Sequence, residues 1–279
     1  GEIDEEEFIK IVVDATTSPG FCNTMGTATT MNSLAEGLGM SLPGCAAIPA
    51  PLSERLEMSY RTGLRIVEMV KKDLTPSKIL TRKAFENSIV LNSAIGGSTN
   101  APIHINAIAR HVGVELEIED WEKVGLEIPM LVNMQPGGKY LGEDFHRAGG
   151  VPAVMNALLK AGKLHDSAIT VNGKTVAENY AETTTQDTDV IRTFQNPMLE
   201  NAGFIVLKGN IFDSAVMKTS VISDSFRSQY LDKPGSKNVF EVRAIVFEGP
   251  EDYRKRINDS QLKINVDCIL VIRGCGPVG

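Results

Sequence analysis

Apolar residues recur every three or four positions over several stretches of the first part of the chain, and this spacing predicts amphipathic helices. In residues 24–38 the apolar positions fall on one helical face, and Gly39 follows where a C-terminal cap belongs. Further helices are predicted over residues 54–72, 77–97, 98–113 and 149–162. The short apolar run "IPMLVNM", residues 128–134, predicts a buried strand between them. The first part therefore has the pattern of an α/β sandwich.

The pattern changes after residue 185 to one typical of β-strands. The segment "GFIVLKGNIFDSAVMKTS" contains two apolar runs separated by Gly209-Asn210, which predicts a hairpin. The segments "VFEVRAIVF" and "CILVIRG" are rich in branched residues, and "EGPEDYRKRIND" between them predicts a short exposed helix. We therefore predict one domain over residues 1–185 and a second, β-rich domain over residues 186–279.

The composition is that of a soluble globular protein, with 42% hydrophobic and 23% charged residues. The formal net charge of -7 argues against a general attraction to nucleic acid or to an anionic membrane surface. No apolar run reaches the about 18 residues of a membrane-spanning helix, and the acidic start "GEIDEEEFIK" is unlike a signal peptide, so we expect a cytoplasmic protein. Both ends have the pattern of an interrupted domain, and we expect the chain to be a segment of a longer protein.

The four cysteines, Cys22, Cys45, Cys268 and Cys275, are too few and too widely spaced for a disulfide framework, and none lies in a C-x-x-C pair. The simplest interpretation of each is a buried, inert thiol. Cys22 has a second interpretation, because it precedes a predicted helix N-terminus, where the helix dipole lowers the pKa of a thiol. A thiolate there could serve as a nucleophile or as a soft ligand for iron or copper.

Two further stretches have the composition of functional loops. "GGSTN", residues 96–100, places two glycines and three small polar residues at a helix N-terminus, which is either a cradle for a carboxylate or phosphate or a well-capped helix. His104, one turn further on, is equally consistent with a working base and with a hydrogen-bonded core histidine. "QPGGKYLGEDFHRAGG", residues 135–150, mixes charged side chains with five glycines and is either a functional loop or a solvated turn.

The same stretches, in this order, resemble the IlvD/Edd dehydratase family, which includes dihydroxyacid dehydratase and phosphogluconate dehydratase. The segments that carry the resemblance span nearly the whole chain: "GFCNTMGTATTMNSLAEGLGMSLPGCAAIPAP", "GGSTNAPIHINAIA", "PGGKYLGEDFHRAGGVPAVM", "NAGFIVLKGN", "SAVMKTS", "VFEGPEDYRKRI" and "VIRGCGPVG". The details "CNTMGTATTMNSLAE" and "RGCGPVG" look closer to the aldonate, or sugar-acid, dehydratases. The resemblance implies the second half of a three-layer α/β/α sandwich, followed by the start of a β-barrel-like domain.

By this resemblance the reaction removes water from a 2,3-dihydroxy sugar acid to give a 2-keto-3-deoxy acid, with an iron-sulfur cluster, expected to be 2Fe-2S, and Mg²⁺ as cofactors. Cys22 matches the third of three cluster cysteines, and Ser98, Thr99 and Asn100 are expected to contact the substrate. The other three cysteines match no cluster position. The remaining cluster ligands, the Mg²⁺ ligands and the catalytic serine base match nothing in this chain, so the resemblance predicts that the chain by itself is inactive.

Three alternatives stay open. The chain could belong to a dihydroxyacid dehydratase of branched-chain amino-acid biosynthesis, to a non-catalytic assembly module that keeps only the fold, or to a thiol-dependent enzyme that uses Cys22 as its nucleophile. The expected partners are a small sugar acid and further copies of the chain, in a homo-dimer or higher homo-oligomer, because interrupted sheets leave unpaired edges. We expect neither nucleic acid nor a membrane as a partner.

Overall fold

The computed structural model describes residues 3–15, 20–210, 213–232 and 239–275. The chain divides into two compact units, Gly1–Val221 and Ile222–Gly279. The predicted boundary between residues 185 and 186 stays a prediction. No helix among the described residues has the length and apolar character needed to cross a membrane.

The first unit is mainly helical, and most of its helices were predicted by apolar periodicity. In chain order they are α1 (Glu5–Ala15), α2 (Thr27–Gly37), α3 (Ser53–Lys71), α4 (Pro76–Ile79), α5 (Arg82–Ala94), α6 (Ala101–His111), α7 (Ile118–Gly125), α8 (Gly142–Arg147), α9 (Gly150–Lys160) and α10 (Val176–Tyr180). The single helix predicted over residues 77–97 is divided into α4 and α5, because Thr81 has an extended backbone, with φ -96° and ψ 166°. The short helices α7, α8 and α10 were not predicted, and α8 lies in the stretch that was interpreted as a loop or turn.

Helix α5 is the centre of the main hydrophobic core. Every residue from Asn87 to Ala94 is buried, and α5 packs against α2, α7 and α9. Its buried amide Asn87 is satisfied by the backbone of His165, since Asn87 Nδ2 donates to the carbonyl at 3.1 Å and Asn87 Oδ1 accepts from the N–H at 2.7 Å. A polar side chain on a helix that is buried on most sides needs such hydrogen-bond partners. The two bonds of Asn87 also fix the loop after α9 to the core.

The predicted hairpin after residue 203 is confirmed. Strands β1 (Phe204–Leu207) and β2 (Ala215–Lys218) are antiparallel, with Phe204 opposite Lys218. The hairpin lies on α7, where the Phe204 ring stacks on Trp121 with ring centroids 5.8 Å apart. This packing brings the Lys218 ammonium to the carbonyl of Gly96, to which it donates a hydrogen bond.

The predicted strand over residues 128–134 is buried but forms no regular strand. Met130, Val132 and Met134 make isolated bridges to Leu199, Ile191 and Tyr140, respectively. The reason is that the N–H of Leu131 donates at 2.7 Å to the carbonyl of Ala94, at the end of α5, instead of to a neighbouring strand.

The second unit contains a parallel strand pair. It begins with α11 (Asp224–Phe226) and a π-helical turn (Arg227–Leu231), followed by β3 (Arg243–Phe247), α12 (Pro250–Arg256) and β4 (Cys268–Ile272). Strands β3 and β4 pair in parallel, which requires the α12 crossover between them. Mixed helix and strand content agrees with the predicted α/β class. The described residues form two separate two-stranded sheets, and the sandwich and the barrel stay predictions.

Candidate functional site

Cys22 lies in the turn before α2, with its sulfur at the start of that helix. A Cβ on the N-cap residue Gly26 would lie 3.7 Å from Cys22 Sγ. The thiol is exposed, and its sulfur is 3.5 Å from Thr24 Oγ1. Hydrogen bonds from the Thr24 side chain and then from its backbone lower the pKa of the Cys22 thiol. The helix-dipole argument also predicted a lowered pKa for the Cys22 thiol, and the structure identifies hydrogen bonds from Thr24 as a cause.

The segment over residues 135–142 holds the turn that carries Cys22. The N–H of Met25 donates to the carbonyl of Gln135 at 2.7 Å, and the N–H of Gly142 donates to the carbonyl of Asn23 at 2.9 Å. A Cβ at position 142 would lie 2.5 Å from Asn23 Oδ1, so a larger residue there would displace the Asn23 side chain. The glycine-rich loop therefore lies directly beside Cys22.

A cavity of about 460 Å³ opens beside Cys22. Its polar lining comes from the Cys22 turn, from α2, from the start of α3 and from α8, namely Asn23, Thr29, Asn32, Arg55 and Glu143. The loop over residues 46–51 forms the opposite wall. Sequence reasoning missed Asn32 and Arg55, because both lie within predicted helices and no local pattern marks either side chain as lining a cavity.

Two side chains on successive turns of α2 fix that loop. Asn32 Nδ2 donates to the carbonyl of Ala46 at 3.3 Å, and the Glu36 carboxylate accepts from the N–H groups of Gly44 at 2.7 Å and Ala46 at 3.0 Å. Both the N–H and the carbonyl of Ala46 are thus hydrogen-bonded to side chains of α2. Glu36 is fully buried, and this burial raises the pKa of its carboxyl to about 7, although the two N–H groups oppose the shift.

The residues of "GGSTN" meet the first turn of α2. Ser98 Oγ and Asn100 Nδ2 each lie 2.9 Å from Thr27 Oγ1, and the N–H of Ser98 donates to Thr30 Oγ1 at 3.0 Å. Thr99 is exposed. The starts of α2 and α6 are therefore joined by hydroxyl and amide groups, at the same end of α2 as Cys22.

The N-cap of α6 is Asn100, and the Ser98 hydroxyl accepts from the N–H of Asn100 at 3.1 Å. His104 is exposed and is not a core histidine. The substrate-binding role of Ser98, Thr99 and Asn100 stays a prediction.

The interpretation of the cysteines as buried thiols is wrong for all four. Cys22 and Cys275 are exposed, and Cys45 and Cys268 are partly exposed. Arg55 Nη1 donates to Cys45 Sγ at 3.5 Å. Residues 276–279 of the motif "RGCGPVG" lie outside the described residues.

The described part of the chain contains no group of three or more His, Cys, Asp or Glu side chains that could hold a metal ion. An exposed thiol of lowered pKa suits one soft ligand position, and Cys22 meets that requirement. A cluster needs several such ligands, and the described residues alone do not complete either an iron-sulfur site or a Mg²⁺ site.

Comparison with known proteins places these features in one family. The sequence profile of the dihydroxy-acid/6-phosphogluconate dehydratase N-terminal domain matches residues 1–179, and that of the C-terminal domain matches residues 189–279. Similar relatives include a D-xylonate dehydratase of Caulobacter vibrioides, 58% identical, and an L-arabinonate dehydratase of Rhizobium leguminosarum bv. trifolii, 46% identical. A dihydroxy-acid dehydratase of Caldanaerobacter subterraneus subsp. tengcongensis is 41% identical.

Each of these alignments covers 100% of this chain but only 47%, 46% and 48% of the respective relative. The chain thus spans about half the length of the curated relatives it matches. The two matched profiles together cover nearly all of its residues. The chain belongs to the dihydroxy-acid/6-phosphogluconate dehydratase family.

Proposed function

We propose that this chain forms part of a sugar-acid dehydratase, a lyase that converts a 2,3-dihydroxy acid into a 2-keto-3-deoxy acid. The proposal is supported by the higher identity to the D-xylonate and L-arabinonate dehydratases, 58% and 46%, than to the dihydroxy-acid dehydratase, 41%. The structural observation that carries it is the exposed Cys22 thiol of lowered pKa at the edge of a polar cavity.

An iron-sulfur cluster, of the 2Fe-2S type in our proposal, and Mg²⁺ would supply the Lewis acids of this reaction in the complete protein. Cys22 is the residue of this chain that we assign to the cluster. The 279 residues alone are inactive in this proposal, because the described residues complete no metal site.

The cavity beside Cys22 offers a substrate both charged side chains, Arg55 and Glu143, and neutral polar ones. The amides of Asn23 and Asn32 and the hydroxyl of Thr29 line the cavity and offer hydrogen-bond donors and acceptors of the kind that match the hydroxyl groups of a sugar acid. A branched-chain dihydroxy acid has alkyl groups where a sugar acid has further hydroxyl groups. The amides would therefore have no hydrogen-bond partner on that substrate. In this proposal the sugar acid binds at the polar side of the cavity.

The test uses the complete protein, assayed for 2-keto acid formation from D-xylonate, L-arabinonate and 2,3-dihydroxy-3-methylbutanoate. Iron and acid-labile sulfide are measured on the same samples. We expect turnover of a sugar acid, and we expect Cys22→Ser to lose both iron and activity. Cys275→Ser changes an equally exposed thiol and should keep both.

Each other outcome identifies an alternative. Turnover of the branched-chain acid alone would favour the biosynthetic enzyme. Full iron in Cys22→Ser would show that Cys22 is not a cluster ligand. A metal-free protein that is inactive on all three acids would favour the assembly module, and activity without metal that alkylation abolishes would favour a Cys22 nucleophile.

A further inference from the structure

Helix α3 (Ser53–Lys71) has one packed face and one exposed apolar face. On the packed face Met58 and Met69 are buried in a small core with Leu42, Ile48, Ile79 and Val171. On the exposed face five large apolar side chains are between 52% and 76% exposed: Leu56, Tyr60, Leu64, Val67 and Val70. Their spacing of four, four, three and three residues puts them on one stripe of the helix, which we call the α3 stripe.

The α3 stripe has the properties of a surface that another helix covers. Single exposed apolar side chains are normal on a soluble protein, but a continuous row of five marks an interaction surface. Gly63 lies in the middle of this row, and a Cβ added there would meet nothing within 4 Å. Glycine in the interior of an exposed helix lowers helix stability, and here it leaves room for the backbone of a second helix to approach closely.

The charges along α3 are complementary to those of a second, antiparallel copy of α3. The N-terminal end carries Glu57 and the C-terminal end carries Lys71, and neither has an ion-pair partner among the described residues. Both lie seven residues from Leu64. An antiparallel second copy, related by a two-fold axis at Leu64, therefore puts Glu57 of each copy opposite Lys71 of the other.

We propose that the α3 stripe is an interface between two copies of this chain, packed antiparallel about Leu64. A two-fold interface of this kind is self-complementary, so each favourable pair occurs twice. At a rise of about 1.5 Å per residue, Glu57 and Lys71 are separated by about 21 Å along the helix, which places the two ion pairs at opposite ends of the apolar contact. The proposal does not depend on the proposed reaction.

The experiment is a charge exchange in the complete protein, with the dimer dissociation constant measured by analytical ultracentrifugation. Glu57→Lys alone and Lys71→Glu alone each put like charges together twice, and each should weaken the dimer about tenfold. The double variant restores opposite charges in both places and should return to within about twofold of the parent. Glu182→Lys makes the same charge change at an exposed position away from α3 and should have no effect.

A second variant tests the apolar contact itself. Leu64→Arg puts two like charges at the two-fold axis and should give a monomer under conditions where the parent is dimeric. Amide hydrogen exchange of residues 56–70 should then rise together with the loss of dimer. The proposal is overturned if the parent is monomeric, if the double variant is as weak as the singles, or if Leu64→Arg leaves the dimer intact.

Discussion

The buried carboxyl of Glu36 makes a prediction about the pH dependence of stability. The side chain is fully buried on α2 and is in contact with two N–H groups of the loop at Gly44 and Ala46. The described neighbour that senses its charge is Tyr180, which is itself buried and whose hydroxyl has no hydrogen-bond partner. The informative perturbation is Glu36→Gln, because an amide of the same shape stays neutral at every pH.

The magnitude follows from the two pKa values of the carboxyl. A folded pKa of about 7 against an unfolded pKa of 4.5 corresponds to about 3 kcal/mol of unfolding free energy. Below pH 4.5 both states hold the proton, and the full stability is present. Between pH 4.5 and pH 7 the unfolded chain releases the proton while the folded chain keeps it, so the free energy of unfolding falls as the pH rises. Above pH 7 the loss is complete.

The assay is urea unfolding of the parent and of Glu36→Gln at pH 5, 6, 7 and 8. The variant leaves one loop N–H without an acceptor, which costs about 1–3 kcal/mol at every pH. The pH-dependent difference between the two proteins is therefore the quantity to compare. It should change by about 2.5 kcal/mol in favour of the variant between pH 5 and pH 8, because part of the effect is already present at pH 5. A constant difference over that range would mean that Glu36 ionises normally, and the reasoning from burial would be refuted.

Three further predictions concern the Cys22 turn and the packing of the hairpin. Thr24→Val removes the hydroxyl that favours the Cys22 thiolate, so iodoacetamide alkylation of Cys22 at pH 7, followed by mass spectrometry, should slow by about two- to fivefold; an unchanged rate would exclude this hydroxyl as the cause. Trp121→Ala removes a ring that is 1% exposed and should lower the unfolding free energy by about 3–5 kcal/mol in urea; a loss below about 1 kcal/mol would contradict the packing. Gly203→Ala puts a Cβ 2.2 Å from the carbonyl oxygen of Gly125 and should cost about 1–3 kcal/mol, whereas Gly209→Ala, with open space around it, should change stability by less than about 0.5 kcal/mol. Equal unfolding midpoints for the two alanine variants would be the contradicting result.

Elements set by local pattern were predictable from the sequence. Helix α3 appears where periodicity puts it, and the predicted hairpin forms, although its second strand begins at Ala215 and not directly after Gly209-Asn210. The buried run over residues 128–134 was recognised as core but not as irregular, because its bonding to Ala94 depends on where α5 ends. Strand formation depends on a neighbour, and the neighbour is not encoded in the run itself.

The candidate site was predictable only in part. Cys22 and the segment over residues 96–100 stood out by composition, but Thr27, which bonds the segment over residues 96–100 to the start of α2, has no local signal. The burial of Glu36 was equally hidden, since a glutamate on a helix is usually solvated. It is buried here because the loop at Gly44 folds back onto α2, a contact that helical periodicity does not reveal.

The hydrogen bonds between the segment over residues 135–142 and the Cys22 turn have a consequence for synthesis of the chain. The N–H of Gly142, which donates to Asn23, is made 120 residues after Cys22. At about 5–20 residues per second, the ribosome needs roughly 6–24 s to produce that interval. During this time the Cys22 turn lacks the backbone hydrogen bonds to Gln135 and Gly142 that hold it in the folded chain. The exposed thiol is therefore synthesised well before the segment that fixes its position.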